Sequence, residues 1–259
     1  MKRFFALALF VICLLQAPFA LAYSVAFEDN ANYWEGFGND RYTYVRGSGW
    51  VEQDNLDVIG TPDLTGGNFV YEGHTLVGIE LNYASTSWEV MPGDWFFDLN
   101  QDKVWDYVLH NEIKKSCWGG VSYSYQLYSV SLGYGDKASE DWTDEYKKSY
   151  WPWGYEGRYG HPVQALIGDG AEGEVVDFSG WQYWRVSEDH PGLSVWSGFS
   201  LDLSQYSNDA FTYGFAMTCG NDVLFGESLV PAPEPSTFLL LGFGGLGMLF
   251  YARKRRRSL

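Results

Sequence analysis

The sequence predicts an all-β chain: a single antiparallel β-sandwich of jelly-roll-like type, flanked by an N-terminal signal peptide and one short C-terminal transmembrane helix. Three observations predict it. Apolar and polar residues alternate with a period of two in Arg41-Tyr-Thr-Tyr-Val45, in Thr75-Leu-Val-Gly-Ile-Glu-Leu-Asn-Tyr83 and over 121–132, the pattern of strands with one face buried. Turn-forming clusters of Gly, Asn and Asp break these runs at short intervals, and no stretch sustains a helical heptad. Hydrophobic residues make up 46% and aromatic residues 19% of 259, enough for a large core and far from the composition of a disordered chain.

The N-terminal element comes first. Lys2 and Arg3 precede an apolar run over 4–15, and Ala20-Leu-Ala22 is a small-x-small site directly before Tyr23. This is the pattern of a secretory signal peptide over 1–22, cleaved between Ala22 and Tyr23. Of the three cysteines, Cys13 lies inside that run, so the mature chain keeps Cys117 and Cys219. In an oxidising exported compartment these two predict a disulfide, with two buried free thiols as the alternative. A closed loop of about 100 residues would contribute up to about 4.7 kcal/mol in the chain-entropy account.

The sandwich domain spans 23–230. Beyond the three alternating runs, candidate strands cover 68–71, 94–99, 104–109, 174–178, 181–186, 193–203, 210–218 and 223–225. Thr65-Gly-Gly67, 100–103 and Gly168-Asp-Gly170 mark turns between them. No repeat recurs at 20 to 50 residues, which disfavours a propeller or solenoid. The one segment with helical character, 139–149, is dense in Asp, Glu and Lys and reads as a solvated loop or short surface helix.

Two stretches carry candidate binding chemistry. In Asp98-Leu-Asn100-Gln-Asp102-Lys-Val-Trp-Asp106, the residues Asp98, Asn100, Asp102 and Asp106 fall at positions 1, 3, 5 and 9 of a calcium loop and offer hard oxygen ligands. Lys103 stands where the EF-hand requires Gly and Leu109 where it requires a bidentate Glu, so this is no EF-hand. Two readings stay open: a looser Ca2+ turn, or an Asp/Asn-rich hairpin turn between aromatic strands. In Tyr150-Trp151-Pro-Trp153-Gly-Tyr155 the Pro and Gly interrupt any strand, and Trp151, Trp153 and Tyr155 on a loop could stack on sugar faces. The plainer alternative is that such rings fill the sandwich core.

Catalytic patterns are missing. There is no G-x-S-x-G elbow and no H-E-x-x-H, and His74, His110, His161 and His190 are dispersed in the sequence. Glycosidase chemistry needs only two suitably spaced carboxylates, so a hydrolase acting on exopolysaccharide stands as the alternative to a non-enzymatic protein, beside a calcium-dependent adhesin.

The C-terminal element covers 231–259. Pro231-Ala-Pro233-Glu234-Pro235 leads into an apolar run over 237–252 and then into Arg253, Lys254, Arg255, Arg256 and Arg257. Sixteen helical residues at about 1.5 Å each reach about 24 Å, short of the roughly 30 Å hydrocarbon core, so the span is short or temporary. The basic cluster acts as a stop-transfer signal and holds the C-terminus in the cytoplasm. Gly242-Phe-Gly244-Gly-Leu-Gly247 satisfies a dinucleotide fingerprint but lies inside the apolar run, without the strand and helix that motif needs.

Pro233-Glu234-Pro235, the Gly-rich apolar helix and the Arg cluster, in that order, resemble the sorting tail of PEP-CTERM proteins of Gram-negative bacteria. The resemblance implies that an exosortase, a membrane cysteine protease, cuts at the Pro-Glu-Pro signal. It implies transient residence in the inner membrane and delivery to the cell surface or extracellular matrix of an exopolysaccharide or biofilm system. The ectodomain is similar to the globular part of some exosortase-dependent surface proteins in Thr61-Pro-Asp63 with Gly66-Gly67, in Gly93-Asp94 through Trp105-Asp-Tyr107, in Gly160-His-Pro162 and in Thr218-Cys-Gly-Asn-Asp-Val223. That likeness implies no common activity.

The charge sharpens this picture. Setting aside Lys2, Arg3, the five tail cations and Glu234 from the 17 basic and 33 acidic residues leaves 10 and 32, a charge near −22 for the exported domain against −16 for the whole chain. Such a domain repels phosphate backbones, which excludes nucleic acid as a partner and favours neutral or cationic ones.

Overall fold

The structure, a computed structural model, describes residues 22–29, 42–45, 49–52, 63–85, 92–115, 121–134, 139–140, 164–168, 170–180, 192–206, 209–217 and 222–230. All of them belong to one compact unit, Ala22–Pro231. The strands are β1 (Ala22–Phe27), β2 (Tyr42–Val45), β3 (Gly49–Glu52), β4 (Asp63–Glu72), β5 (Thr75–Ser85), β6 (Pro92–Asp98), β7 (Val104–Lys115), β8 (Val121–Gly133), β9 (Ser139–Glu140), β10 (Gln164–Ala165), β11 (Glu174–Ser179), β12 (Gly192–Asp202), β13 (Ala210–Met217) and β14 (Val223–Leu229). Among the described residues there is no helix, and hence none long and apolar enough to cross a membrane. Ala20, Cys117, Cys219, Trp151, Trp153, Tyr155, the predicted strand 181–186 and the tail with Pro233, Glu234, Pro235, the apolar run 237–252 and Arg253 to Arg257 lie outside the described residues.

The all-β antiparallel prediction holds, and the strand order corrects its finer detail. Ten strands form one continuous sheet in the order β1-β4-β5-β12-β11-β8-β7-β6-β13-β14. This is a meander, β6-β7-β8-β11-β12, extended on one side by β5, β4 and β1 and on the other by β13 and β14. The interleaved strands of a jelly roll do not form, because β11 belongs to both halves. Its first residues, Glu174 to Val176, pair with β8, and Asp177 to Ser179 pair with β12. The sheet therefore turns a corner within one strand.

Two short connections enforce the curl. Residues 86–91 join β5 to β6 and residues 203–209 join β12 to β13, in each case between strands five places apart in the sheet. In a flat sheet, at about 4.8 Å per strand, those ends would be about 24 Å apart. Curling brings the edge strands β1 and β14 within 8 Å of each other, Cα to Cα, and makes the sheet a near-barrel.

The enclosed core is aromatic. Phe69 of β4 meets Phe211 at 5.3 Å and Tyr213 at 5.0 Å between ring centroids, across the interior. Trp95 of β6 stands edge-on to Trp196 of β12 at 5.7 Å, and Trp196 is edge-on to Tyr125 at 5.6 Å. Each fully buried ring of this kind contributes about 1.5–3 kcal/mol. Among the described residues neither buried indole Nε1 has a hydrogen-bond acceptor.

Strand β6 is buried along its whole length, which explains its uninterrupted Trp-Phe-Phe run. Trp95 and Phe97 point into the main core. On its other face Phe96 joins Trp105, Val108, Tyr134, Ala165, Ala216 and Val223 in a second cluster outside the near-barrel.

Several predicted boundaries shift for local reasons. Thr65-Gly-Gly67 is no turn but an irregularity inside β4, where the register to β5 slips between Leu64 and Gly67. Gly66 has φ +88°, and a Cβ on Gly67 would meet the carbonyl oxygen of Glu80 at 1.9 Å, so the glycine pair permits a bulge. Strand β1 was hidden by the predicted signal junction. Tyr23 stacks on Tyr71 at 5.5 Å and its hydroxyl donates to Gly73 O at 2.8 Å. Ser139 and Glu140, assigned to the solvated segment, form β9.

The register places the chain's turns at two ends. At one end lie the start of β1, the β4–β5 turn, the β6–β7 turn, the end of β12, the start of β13 and the end of β14. At the other lie the end of β5, the start of β6, the end of β7, the start of β8, the end of β13 and the start of β14. There the buried Asp222 carboxylate accepts the N–H of Leu64 at 2.6 Å and of Val223 at 2.9 Å. It ties β4 to the start of β14 across the closure.

Candidate functional site

The β6–β7 hairpin pairs Trp95 with Leu109, which sets Asp94 opposite His110 on the outer face of the sheet. Asp94 is fully buried. Its Oδ1 accepts the N–H of Asn111 at 2.7 Å, and its Oδ2 accepts the N–H of Ala165 at 2.8 Å and contacts His110 Nδ1 at 2.8 Å. The bond orients the imidazole and leaves Nε2 as the ring nitrogen that Asp94 does not engage. Burial by itself would lower the His110 pKa, but the Asp94 hydrogen bond and charge, with the Glu112 charge, raise it above the usual value.

The polar face continues onto β8. His110 pairs with Gln126, Gln126 Nε2 donates to Glu112 Oε1 at 2.8 Å, and the Tyr128 hydroxyl lies 3.1 Å from Gln126 Oε1. The Tyr128 ring stands edge-on to His110 at 6.0 Å. Burial first, then the Glu112 charge and contact, push the Tyr128 hydroxyl up. An imidazole, a carboxylate, an amide and the phenol of the buried Tyr128 thus share one patch. That set of donors and acceptors suits a hydroxyl-rich ligand. Among the described residues no Ser, Thr or Cys side chain bonds His110.

The same node anchors another part of the chain. β9 and β10 pair Glu140 with Gln164 and Ser139 with Ala165, closing the base of segment 141–163, in which Trp151, Trp153 and Tyr155 lie. Gln164 Nε2 donates to Asn111 O at 2.6 Å, and Asn111 Nδ2 donates to Pro92 O at 2.6 Å. Ala165 bonds Asp94 as above. β10, which follows the aromatic segment in the sequence, is therefore fastened beside His110.

The predicted calcium residues come together in one turn. Asp98, at the end of β6, is fully buried, and its Oδ1 accepts the N–H of Gln101 at 2.7 Å and of Asp102 at 3.3 Å. Its Oδ2 accepts the N–H of Lys103 at 2.9 Å and the Tyr134 hydroxyl at 2.7 Å. Four donors thus occupy the roughly four lone-pair sites of that carboxylate. Asn100 Nδ2 donates to Asp102 Oδ2 at 3.1 Å, and Asp106 Oδ2 accepts the N–H of Leu99 at 2.8 Å. Burial, with the Asp98 and Asp102 charges, raises the Asp106 pKa against the lowering effect of that N–H. Gln101 and Lys103 have φ of 60° and 69°, so Lys103 takes the left-handed conformation that the EF-hand pattern gives to Gly. The turn joins the aromatic strands β6 and β7. Among the described residues no three His, Cys, Asp or Glu side chains gather for a metal.

The Asp94–His110 pair was hidden among dispersed histidines. Paired residues of β6 and β7 have numbers that sum to 204, as Asp94 and His110 do, whereas a symmetric turn over 100–103 would give 203 and face Asp94 with Leu109, so the turn signal alone does not find the pair.

Fold and site define a β-sheet domain with a polar outer patch, joined at its C-terminal strand to a further segment. That segment matches the family model of the PEP-CTERM protein-sorting motif over residues 231–257, so the chain carries this motif directly after β14. The motif supports an exported protein with exosortase as its processing partner and the cell envelope or surface of a Gram-negative bacterium as its destination. No curated protein and no solved structure matches the chain.

Proposed function

We propose that this chain is an exosortase-processed surface or extracellular-matrix protein of an exopolysaccharide or biofilm system, and that it binds carbohydrate without cutting it. The observation that carries the reading is the sorting motif, which begins one residue after Val230, the last residue bonded into the sheet. Sugar binding is supported by the patch of His110, Glu112, Gln126 and Tyr128, and by Trp151, Trp153 and Tyr155 in the sequence between β9 and β10. Polar groups on a preformed sheet face fix sugar hydroxyls at little entropic cost, and rings cover the apolar sugar face.

Two measurements test it. Mass spectrometry of the exported protein should show a mature C-terminus near Pro233 to Pro235; an intact tail would overturn the processing. Incubation with the producer's polysaccharide should give retention without new reducing ends. New reducing ends would establish a hydrolase instead, and no retention, with or without calcium, would end the sugar reading.

A further inference from the structure

The β domain delivers both of its ends to one pole. β1 begins there at Ala22 and β14 ends there at Leu229, on strands brought side by side by the curl of the sheet. The pole is laced together. Leu203 N–H donates to His74 O at 3.1 Å, Tyr206 N–H to Leu203 O at 3.2 Å, and Val230 N–H to Asp209 O at 2.7 Å. This last bond fastens the final strand immediately before the sorting motif.

The surface there is mixed in a particular way. Leu229 is 67% exposed, one of the few large apolar side chains so open, and Tyr206 and Tyr23 present half-buried rings. Glu72, Asp102, Asp202 and Asp209 are exposed at the same pole, with Lys103 as an exposed cation there. Exposed apolar and aromatic side chains together with charged ones are the make-up of a protein-docking patch, and the net negative sign calls for a cationic partner.

Chain length names that partner. Pro233 lies three residues beyond Val230, at most about 10 Å of extended chain. A standard recognition patch covers about 800 Å² per partner, about 16 Å in radius. A peptidase whose cleft holds Pro233, Glu234 and Pro235 therefore overlaps the pole itself. Resting on the proposed processing of the tail, we propose that the pole bearing Tyr206, Leu229, Glu72, Asp202 and Asp209 is a docking surface for the processing peptidase, read together with the sorting motif and met by cationic groups on the enzyme.

The test follows tail removal by pulse-chase and mass shift in cells with the matching exosortase. The double variant Glu72→Lys with Asp209→Lys should slow removal at least about fivefold. A twenty-residue Gly/Ser spacer after Val230 should abolish the difference, because the enzyme then no longer meets the pole. Glu174→Lys with Asp177→Lys, the same charge change on β11, four strands from β1 and five from β14 in the sheet, should process at the wild-type rate. Should the Lys pair unfold the domain, shown by a lost melting transition, Glu72→Gln with Asp209→Asn reads the same effect at about twofold. Pole variants cut at the wild-type rate, or slowed no more than the control pair, overturn the docking surface. A wild-type chain that keeps its tail overturns the processing itself and this inference with it.

Discussion

His110 Nδ1 lies 2.8 Å from the buried carboxylate of Asp94, sixteen residues away in the chain and directly across the β6–β7 hairpin. An acid with no exposed surface is thereby joined to a base that is partly open, with Glu112 as a second negative neighbour. The pair links the sheet to β10 through Ala165.

This linkage makes stability depend on pH in a definite direction. The folded pKa of His110 is raised, so its contribution is fully present below the unfolded value of about 6.5 and is lost as pH rises through the folded value. The variant His110→Gln should cost about 1.5–3 kcal/mol in the acidic range, where a charge-assisted bond is removed, and progressively less above it. Melting temperatures of both proteins from pH 5 to 9 would show the gap narrowing; a constant gap would mean that the imidazole does not titrate against Asp94.

Asp98 holds its turn by accepting four donors. Asp98→Ala should cost about 2–4 kcal/mol, because the Tyr134 hydroxyl is left buried while the turn's N–H groups turn to water. With every lone pair of Asp98 engaged, millimolar calcium should leave the melting temperature of the wild-type protein unchanged. A rise abolished by Asp102→Asn would instead establish a cation in the turn.

Asp222 ties the two edges of the curled sheet through Leu64 and Val223. Asp222→Ala should destabilise the fold by about 1–3 kcal/mol and expose the Leu64 amide to hydrogen exchange ahead of the core amides of Phe69 and Ile79. Retained protection at Leu64 would show that β4 is held without the carboxylate.

Cys117 falls in the sequence between β7 and β8 and Cys219 in that between β13 and β14, and the strand ends that flank them, Lys115, Val121, Met217 and Val223, lie at the same end of the sheet. Titration of the denatured, unreduced mature protein should find no free thiol. Two free thiols would remove the disulfide and its contribution of up to about 4.7 kcal/mol.

Strand content was largely legible because a half-buried strand writes its burial into alternate residues. The runs over 75–83 and 121–132 became β5 and β8 with little change. β6 was legible as a strand but not as one buried on both faces, since Asp94 and Asp98 look like surface residues until their donors are placed around them. β1 escaped because its pairing with β4 depends on residues about 45 positions away. The candidate site was less legible still. Asp98, Asn100, Asp102 and Asp106 stood out by spacing, whereas His110, Glu112, Gln126 and Tyr128 carry no motif and meet only through a strand register.

By itself the amino-acid order determined what depends on neighbours: the period-two alternation, the turn over 100–103, the acidic and aromatic character of the domain, and the sorting motif over 231–257. These are properties of local sterics and of linear recognition, readable a few residues at a time. Tertiary structure alone decided the strand order, the corner within β11, the burial of Asp94 beside His110 and the arrival of both domain ends at one pole. Each requires partners far apart in the chain, and which of them meet is settled only when short connections force the whole sheet to curl around its rings.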